Sequence, residues 1–164
     1  MKKKFDGYLL DTNNCIYYSN ALKKPKEKRS VEEKRVVQII NSLRSHATLY
    51  MSEATLGELI FGAEKSQRKE YNLEQIGIFK EAILPLAIDQ EVWAIWGKMK
   101  AELRKIGKPI ANMDLLIAAT AKRHDLVLAT NDSNLENLDF LTEIRIEREN
   151  WAQDNKHPTS HKPV

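Results

Sequence analysis

The chain has 164 residues, 42% hydrophobic and 30% charged, with a net charge of +3. This length suits one domain that buries about two-thirds of its unfolded surface, so folding needs neither a disulfide framework nor a structural metal. The single Cys15 excludes an internal bridge, and no apolar run approaches the roughly 18 residues of a membrane span.

The lysines at the start precede an apolar stretch that is too short for a secretory signal and runs into Asp11. A soluble cytoplasmic protein is expected. Cys15 has no His near it in sequence and is expected to be a small buried apolar residue rather than a nucleophile. The charge is uneven. Residues 1–35 carry ten Lys or Arg against five Asp or Glu, and residues 36–164 carry sixteen against eighteen. A basic part suited to a polyanion thus adjoins an acidic body suited to a cation.

The first element is a short apolar run ending in Tyr8-Leu9-Leu10, a buried parallel strand that stops at Asp11-Thr12-Asn13. A helical run over residues 14–18 follows, with Asp11, Thr12 or Asn13 as its N-cap. Residues 23–29 hold Lys23, Lys24, Lys26, Lys28 and Arg29 around Pro25, either a solvated loop or a mobile basic arm beside an active site. Ser30 and Glu33 form a capping box for a helix reaching about Ser45.

Residues 48–51 read as the second strand, and Ser52 or Thr55 caps a helix that carries Glu58. Residues 65–75 are polar and lead into another helix. Residues 83–88 are expected as a third strand, placed at an edge by Pro85. Asp89 caps a helix in which Val92, Trp96, Met99, Leu103 and Ile106 make a stripe suited to the core or to a dimer seam. Gly107-Lys108-Pro109 ends it. Asp114 then opens a helix that is apolar nearly all round and so should be buried.

Residues 126–130 form the fourth strand and end in Asn131-Asp132. Residues 143–147 alternate like a half-exposed edge strand. Trp151 anchors the last ordered turn, and residues 152–164 read as a disordered tail in which His157 and His161 are solvated. Strands alternating with helices imply βαβ units and a mostly parallel sheet.

Four acids stand out. Taken singly, Asp11, Asp114 and Asp132 are acceptable helix caps, and Glu58 is an ordinary surface charge. Asp114 is harder to explain so, because it sits at the mouth of a buried helix with no Lys or Arg within a turn. In a parallel sheet, Asp11 and Asp132 lie just past strand ends and Glu58 and Asp114 in the first turns of helices, all at one edge. Four carboxylates there repel one another unless a cation intervenes, and oxygen ligands favour Mg²⁺ or Mn²⁺ over zinc. No P-loop or Cys/His cluster competes.

Leu10-Asp11-Thr12-Asn13, Glu58-Leu59-Ile60-Phe61-Gly62, Asp114-Leu115-Leu116-Ile117-Ala118-Ala119 and Thr130-Asn131-Asp132 together resemble the PIN domain, most of all its VapC-type toxin branch. The resemblance covers roughly residues 7–151. It implies a three-layer α/β/α sandwich around a five-stranded parallel sheet, a Mg²⁺-dependent endoribonuclease, and inhibition by a small antitoxin. The basic segment, residues 20–34, is longer than the usual connection, and the tail is extra.

On this reading Asp11 and Asp114 are the principal metal ligands, Glu58 and Asp132 complete the site directly or through water, and Thr12, Asn13 and Thr130 hold the acids in place. The five cations of residues 23–29 are expected on RNA phosphates. The stripe bearing Trp93, Trp96 and Met99 is expected to make a homodimer. A haloacid-dehalogenase-like phosphatase would want an acid where Asn13 stands, a receiver domain an acidic pair near the first strand, and a catalytically inactive binding module need not keep all four acids.

Overall fold

A computed structural model describes residues 6–151. The elements are β1 (Gly7–Leu10), α1 (Thr12–Leu22), a 3₁₀ turn (Lys26–Lys28), α2 (Val31–Leu43), β2 (Thr48–Ser52), α3 (Glu53–Glu64), α4 (Lys69–Ala82), β3 (Leu84–Leu86), α5 (Gln90–Lys105), α6 (Asn112–Arg123), β4 (Val127–Ala129), a second 3₁₀ stretch (Ser133–Phe140) and β5 (Arg148–Glu149).

The five strands pair in the order β3-β2-β1-β4-β5, and every pairing is parallel. Alternation along β1 makes the layers. Leu9 packs with Met99, Leu115, Ala118 and Leu128 under α5 and α6, whereas Leu10 packs with Cys15, Tyr18, Val36, Ile40 and Phe79 under α1, α2 and α4. A strand buried on both faces needs an unbroken apolar run, as β1 has. Gly7 is required at its start, because a Cβ there would lie 2.7 Å from the Thr48 carbonyl oxygen of β2.

The caps follow the chain's chemistry. Asp11, among the three candidates, caps α1. Ser30 and Glu33 form the capping box of α2, Ser52 caps α3 and Asp89 caps α5. Pro85 lies in edge strand β3 as expected, though the strand is only three residues long. Cys15 is fully buried.

Three expectations are corrected. The last strand is not residues 143–147 but Arg148–Glu149. Ile144 and Ile146 alternate because they pack on the core under α5 and α6, while the ladder to β4 is held by the Glu147 and Glu149 carbonyls, 2.8 and 2.9 Å from the Leu128 and Thr130 amides. Glu58 lies in the second turn of α3, not the first. The basic segment is not a free arm: its 3₁₀ turn is tied down by Lys24 on Glu33 at 2.8 Å and by Arg29 Nε on the Ala21 carbonyl at 2.8 Å. The tail, with His157 and His161, lies outside the described residues.

Candidate active site

The sheet order reverses at β1, whose neighbours β2 and β4 lead away on opposite sides. Open α/β sheets keep their ligands at the carboxyl end of such a switch point. Asp11 lies there, directly after β1, and is only 4% exposed. Its Oδ1 accepts the Asn14 amide at 2.9 Å and its Oδ2 accepts the Thr130 hydroxyl at 2.6 Å. Burial pushes this carboxyl up to about 6; the Thr130 and Asn14 hydrogen bonds pull it down, and the charges of Asp132 and Asp114 add to the rise.

Asp114 stands half-buried in the first turn of α6. Its carboxyl is also raised, first by burial and then by Asp132 and Glu58. Asp132 follows β4, and its Oδ1 accepts the Asn134 amide at 2.8 Å as the cap of the second 3₁₀ stretch. Its own amide donates to Thr130 Oγ1 at 3.1 Å. Glu58 reaches in from α3 and accepts the Thr12 hydroxyl. Each acid is thus coupled to at least one other, as the sequence suggests.

Of the expected supporting residues, Thr12 and Thr130 touch acids. Asn13 is exposed, and its side chain makes no hydrogen bond among the described residues; the neighbouring Asn14 does that work. Asn14 is fully buried, and its Nδ2 donates to the Ala129 carbonyl at 2.9 Å, which ties the first turn of α1 to the end of β4. Thr55, also fully buried, shares a hydrogen bond with Thr12 at 3.2 Å. Sequence reasoning missed both, because an Asn or Thr inside an amphipathic helix carries no local signal of what lies across the sheet.

The donor set suits a hard divalent cation, being oxygen only, with one buried carboxylate faced by acids rather than by Lys or Arg. Among the described residues, no three His, Cys, Asp or Glu side chains converge closely enough to hold a metal ion together. A cation here would therefore take one or two carboxylates directly and keep most of its waters. Two of the five basic-segment cations, Lys24 and Arg29, have partners within the protein, whereas Lys23 lines a groove between α1, α3 and α4 that Glu58 also lines.

A parallel α/β domain with an oxygen-only acidic site at its switch point defines a class built to handle a polyanion through a cation. Residues 8–141 match the PIN domain, and the chain belongs to that family. It is 34% identical over 146 residues to Ribonuclease VapC2 of Haemophilus influenzae, covering 88% of this chain and 98% of that protein. It is 35% identical over 126 residues to the tRNA(fMet)-specific endonuclease VapC of Shigella flexneri, covering 77% and 86%. Among solved structures, VapBC2 from Rickettsia felis bound to a DNA fragment from its promoter superposes with a TM-score of 0.72 at 28% identity, covering 88% of this chain and 98% of that chain. DNA-bound VapBC from Salmonella typhimurium gives 0.68 at 31% identity, with 88% and 98% covered.

Proposed function

We propose that this chain is a metal-dependent endoribonuclease, the toxin of a toxin–antitoxin pair, and that its cation is Mg²⁺, with Mn²⁺ able to replace it. The observation that carries the reading is Asp11: a buried carboxylate, fixed by two hydrogen bonds and faced by Asp114 and Asp132 at the sheet's switch point.

Asp11 and Asp114 would hold the cation, with Glu58 and Asp132 binding through water or directly. When bound, the cation supplies Lewis-acid stabilisation of the phosphate charge and makes nearby water easier to deprotonate. The chain's own part is positioning. Thr130 orients Asp11 and fixes the backbone of Asp132, Thr12 orients Glu58, and Thr55 braces Thr12. Free carboxylates of the site are then available to accept the proton of the attacking water. The dehalogenase-like alternative finds no support, since Asn13 lacks both the charge and a contact with the acids.

Relatives named for RNA cleavage, and neighbours solved as VapBC complexes, support an RNA substrate and an antitoxin partner; the acidic site would accept a basic side chain of that antitoxin. A second copy of the chain is proposed on α5, where Trp93 is 48% exposed; Met99, expected on the same face, is fully buried in the core. No helix of the described residues is long and apolar enough to cross a membrane, which is compatible with action on RNA in the cytoplasm.

The test is cleavage of labelled RNA, with initiator tRNA as the first substrate, in Mg²⁺, in Mn²⁺ and in EDTA. Cleavage that needs a divalent ion and is lost in Asp11→Asn supports the reading. Metal-independent cleavage overturns the metal site, and no cleavage of any RNA class overturns the enzyme.

A further inference from the structure

A cavity of about 260 Å³ lies between the second half of α5 and the segment leading into α6. Lys100, Arg104, Ile110 and Asn112 are among its lining residues, and none of the residues lining it is acidic. Asn112 is two residues ahead of Asp114, so the cavity adjoins the helix end that carries a site acid.

Its two cations are held differently. Lys100 is fixed, donating to Asn112 Oδ1 at 2.7 Å and lying 4.6 Å from the centre of the Trp96 ring. The Arg104 guanidinium is exposed and has no partner among the described residues. The acid nearest in sequence, Glu102, is committed to the amide and hydroxyl of Thr142, both at 2.7 Å, and so does not neutralise the cavity. A pocket with two cations, no acid and a free guanidinium fork matches an oxyanion, which Arg binds through paired N–H donors.

We propose that this cavity holds a backbone phosphate of the RNA strand adjacent to the one being cleaved, with Arg104 as the fork and Lys100 as a fixed point charge. The proposal rests on the ribonuclease reading and adds a second anchor to it. The acidic site repels a polyanion wherever no cation shields it, so a nearby cationic seat anchors the strand and sets how far along it the scissile bond lies.

The test is binding of a fluorescein-labelled single-stranded RNA across a series of salt concentrations, on an Asp114→Asn background. Arg104→Gln, Lys100→Gln and their double variant are compared with a Lys34→Gln/Lys80→Gln control. Each phosphate of a single strand that a variant no longer neutralises should flatten the log–log salt dependence by about 0.7. The double variant should show this and bind severalfold more weakly, while the control matches the parent. Arg104→Gln alone should also weaken binding with an unchanged melting temperature, since its guanidinium bonds to nothing else in the described fold. With Asp114 restored, the double variant should raise KM more than it lowers kcat.

A double variant that binds with the parent's salt slope overturns the pocket alone, provided the parent cuts RNA. A parent that neither binds nor cuts RNA overturns the ribonuclease reading and the pocket together. If inorganic phosphate at millimolar concentration protects Arg104 from modification by a dicarbonyl reagent but RNA does not, the cavity is a free-anion site and the proposal is wrong.

Discussion

The Thr130 hydroxyl donates to Asp11 Oδ2 at 2.6 Å while its oxygen accepts the Asp132 amide at 3.1 Å, so one 2%-exposed side chain couples two acids borne by two different strand ends. Thr130→Val keeps the shape and removes both bonds. Leaving Asp11 without that donor should cost about 1–3 kcal/mol of stability. Since the hydroxyl pulls the Asp11 carboxyl down, its loss should raise that carboxyl further and move the acid limb of the pH–rate profile to higher pH. Thr130→Ser should restore both, and a profile that does not move would assign Thr130 a packing role only.

Asp114→Asn separates a site acid from a cap. It removes one of the mutually repelling charges, so in EDTA the variant should melt at the parent's temperature or above. With Mg²⁺ a hundredfold above Kd, the parent should gain about 2.7 kcal/mol and the variant much less. Cleavage should be nearly abolished. Cleavage at the parent's rate would remove Asp114 from the chemistry.

The raised Asp11 carboxyl predicts an inverted pH trend for the metal-free protein. Unfolded, the group titrates near 3.8; folded, near 6. Between those values the native state binds the extra proton, so stability should fall as pH rises through that window and level off above it. The total is on the order of 3 kcal/mol. Melting of parent and Asp11→Asn in EDTA from pH 4 to 8 reads this contribution together with its coupling to Asp114 and Asp132, because groups that do not sense Asp11 cancel in the difference. Excess Mg²⁺ should oppose the parent's decline across that same window, because the cation favours the ionised carboxylate.

In the basic segment, Lys24 and Arg29 should behave differently from Lys23, Lys26 and Lys28. The Lys24 hydrogen bond holds the Glu33 carboxyl below its usual range, and Glu33 is buried in the capping box. Lys24→Gln should therefore lower the melting temperature. Lys26→Gln/Lys28→Gln should leave it unchanged and flatten the salt dependence of RNA binding by about 0.7 for each phosphate no longer neutralised. An unchanged slope in the latter would make the turn purely structural.

Trp93, edge-to-face with Trp96 at 5.5 Å between ring centres, offers the exposed part of α5. Trp93→Ser should shift a dimer to monomers in sedimentation at micromolar concentration without lowering the melting temperature of the monomer. A monomeric parent would remove the dimer proposal.

How much of this the sequence carries depends on how local each cause is. The capping box at Ser30 and Glu33, the Asp89 cap and the Pro85 edge each depend on residues within a turn, and all are legible. The acids are legible because strand–helix alternation places them at one edge. By contrast, Lys24 finds Glu33 nine residues away, and Asn14 finds Ala129 across the sheet. No local pattern specifies those partners. The last strand is misplaced by its pattern for a related reason: alternation marks which side chains are buried, and only the neighbour's amides decide which residues pair.

The edges of the sheet have a consequence for recognition. One is closed by a three-residue strand containing Pro85, and the other by the two residues of β5. Proline supplies no amide donor, and so short a strand gives an incoming segment no ladder to extend. Neither edge therefore offers a long ladder to a protein that would silence this enzyme by adding a strand; the groove that α1, α3 and α4 leave beside Glu58 offers such a protein a seat across helices instead. Its grip would come from side chains rather than from backbone pairing, so a few substitutions could change which inhibitor a given copy obeys.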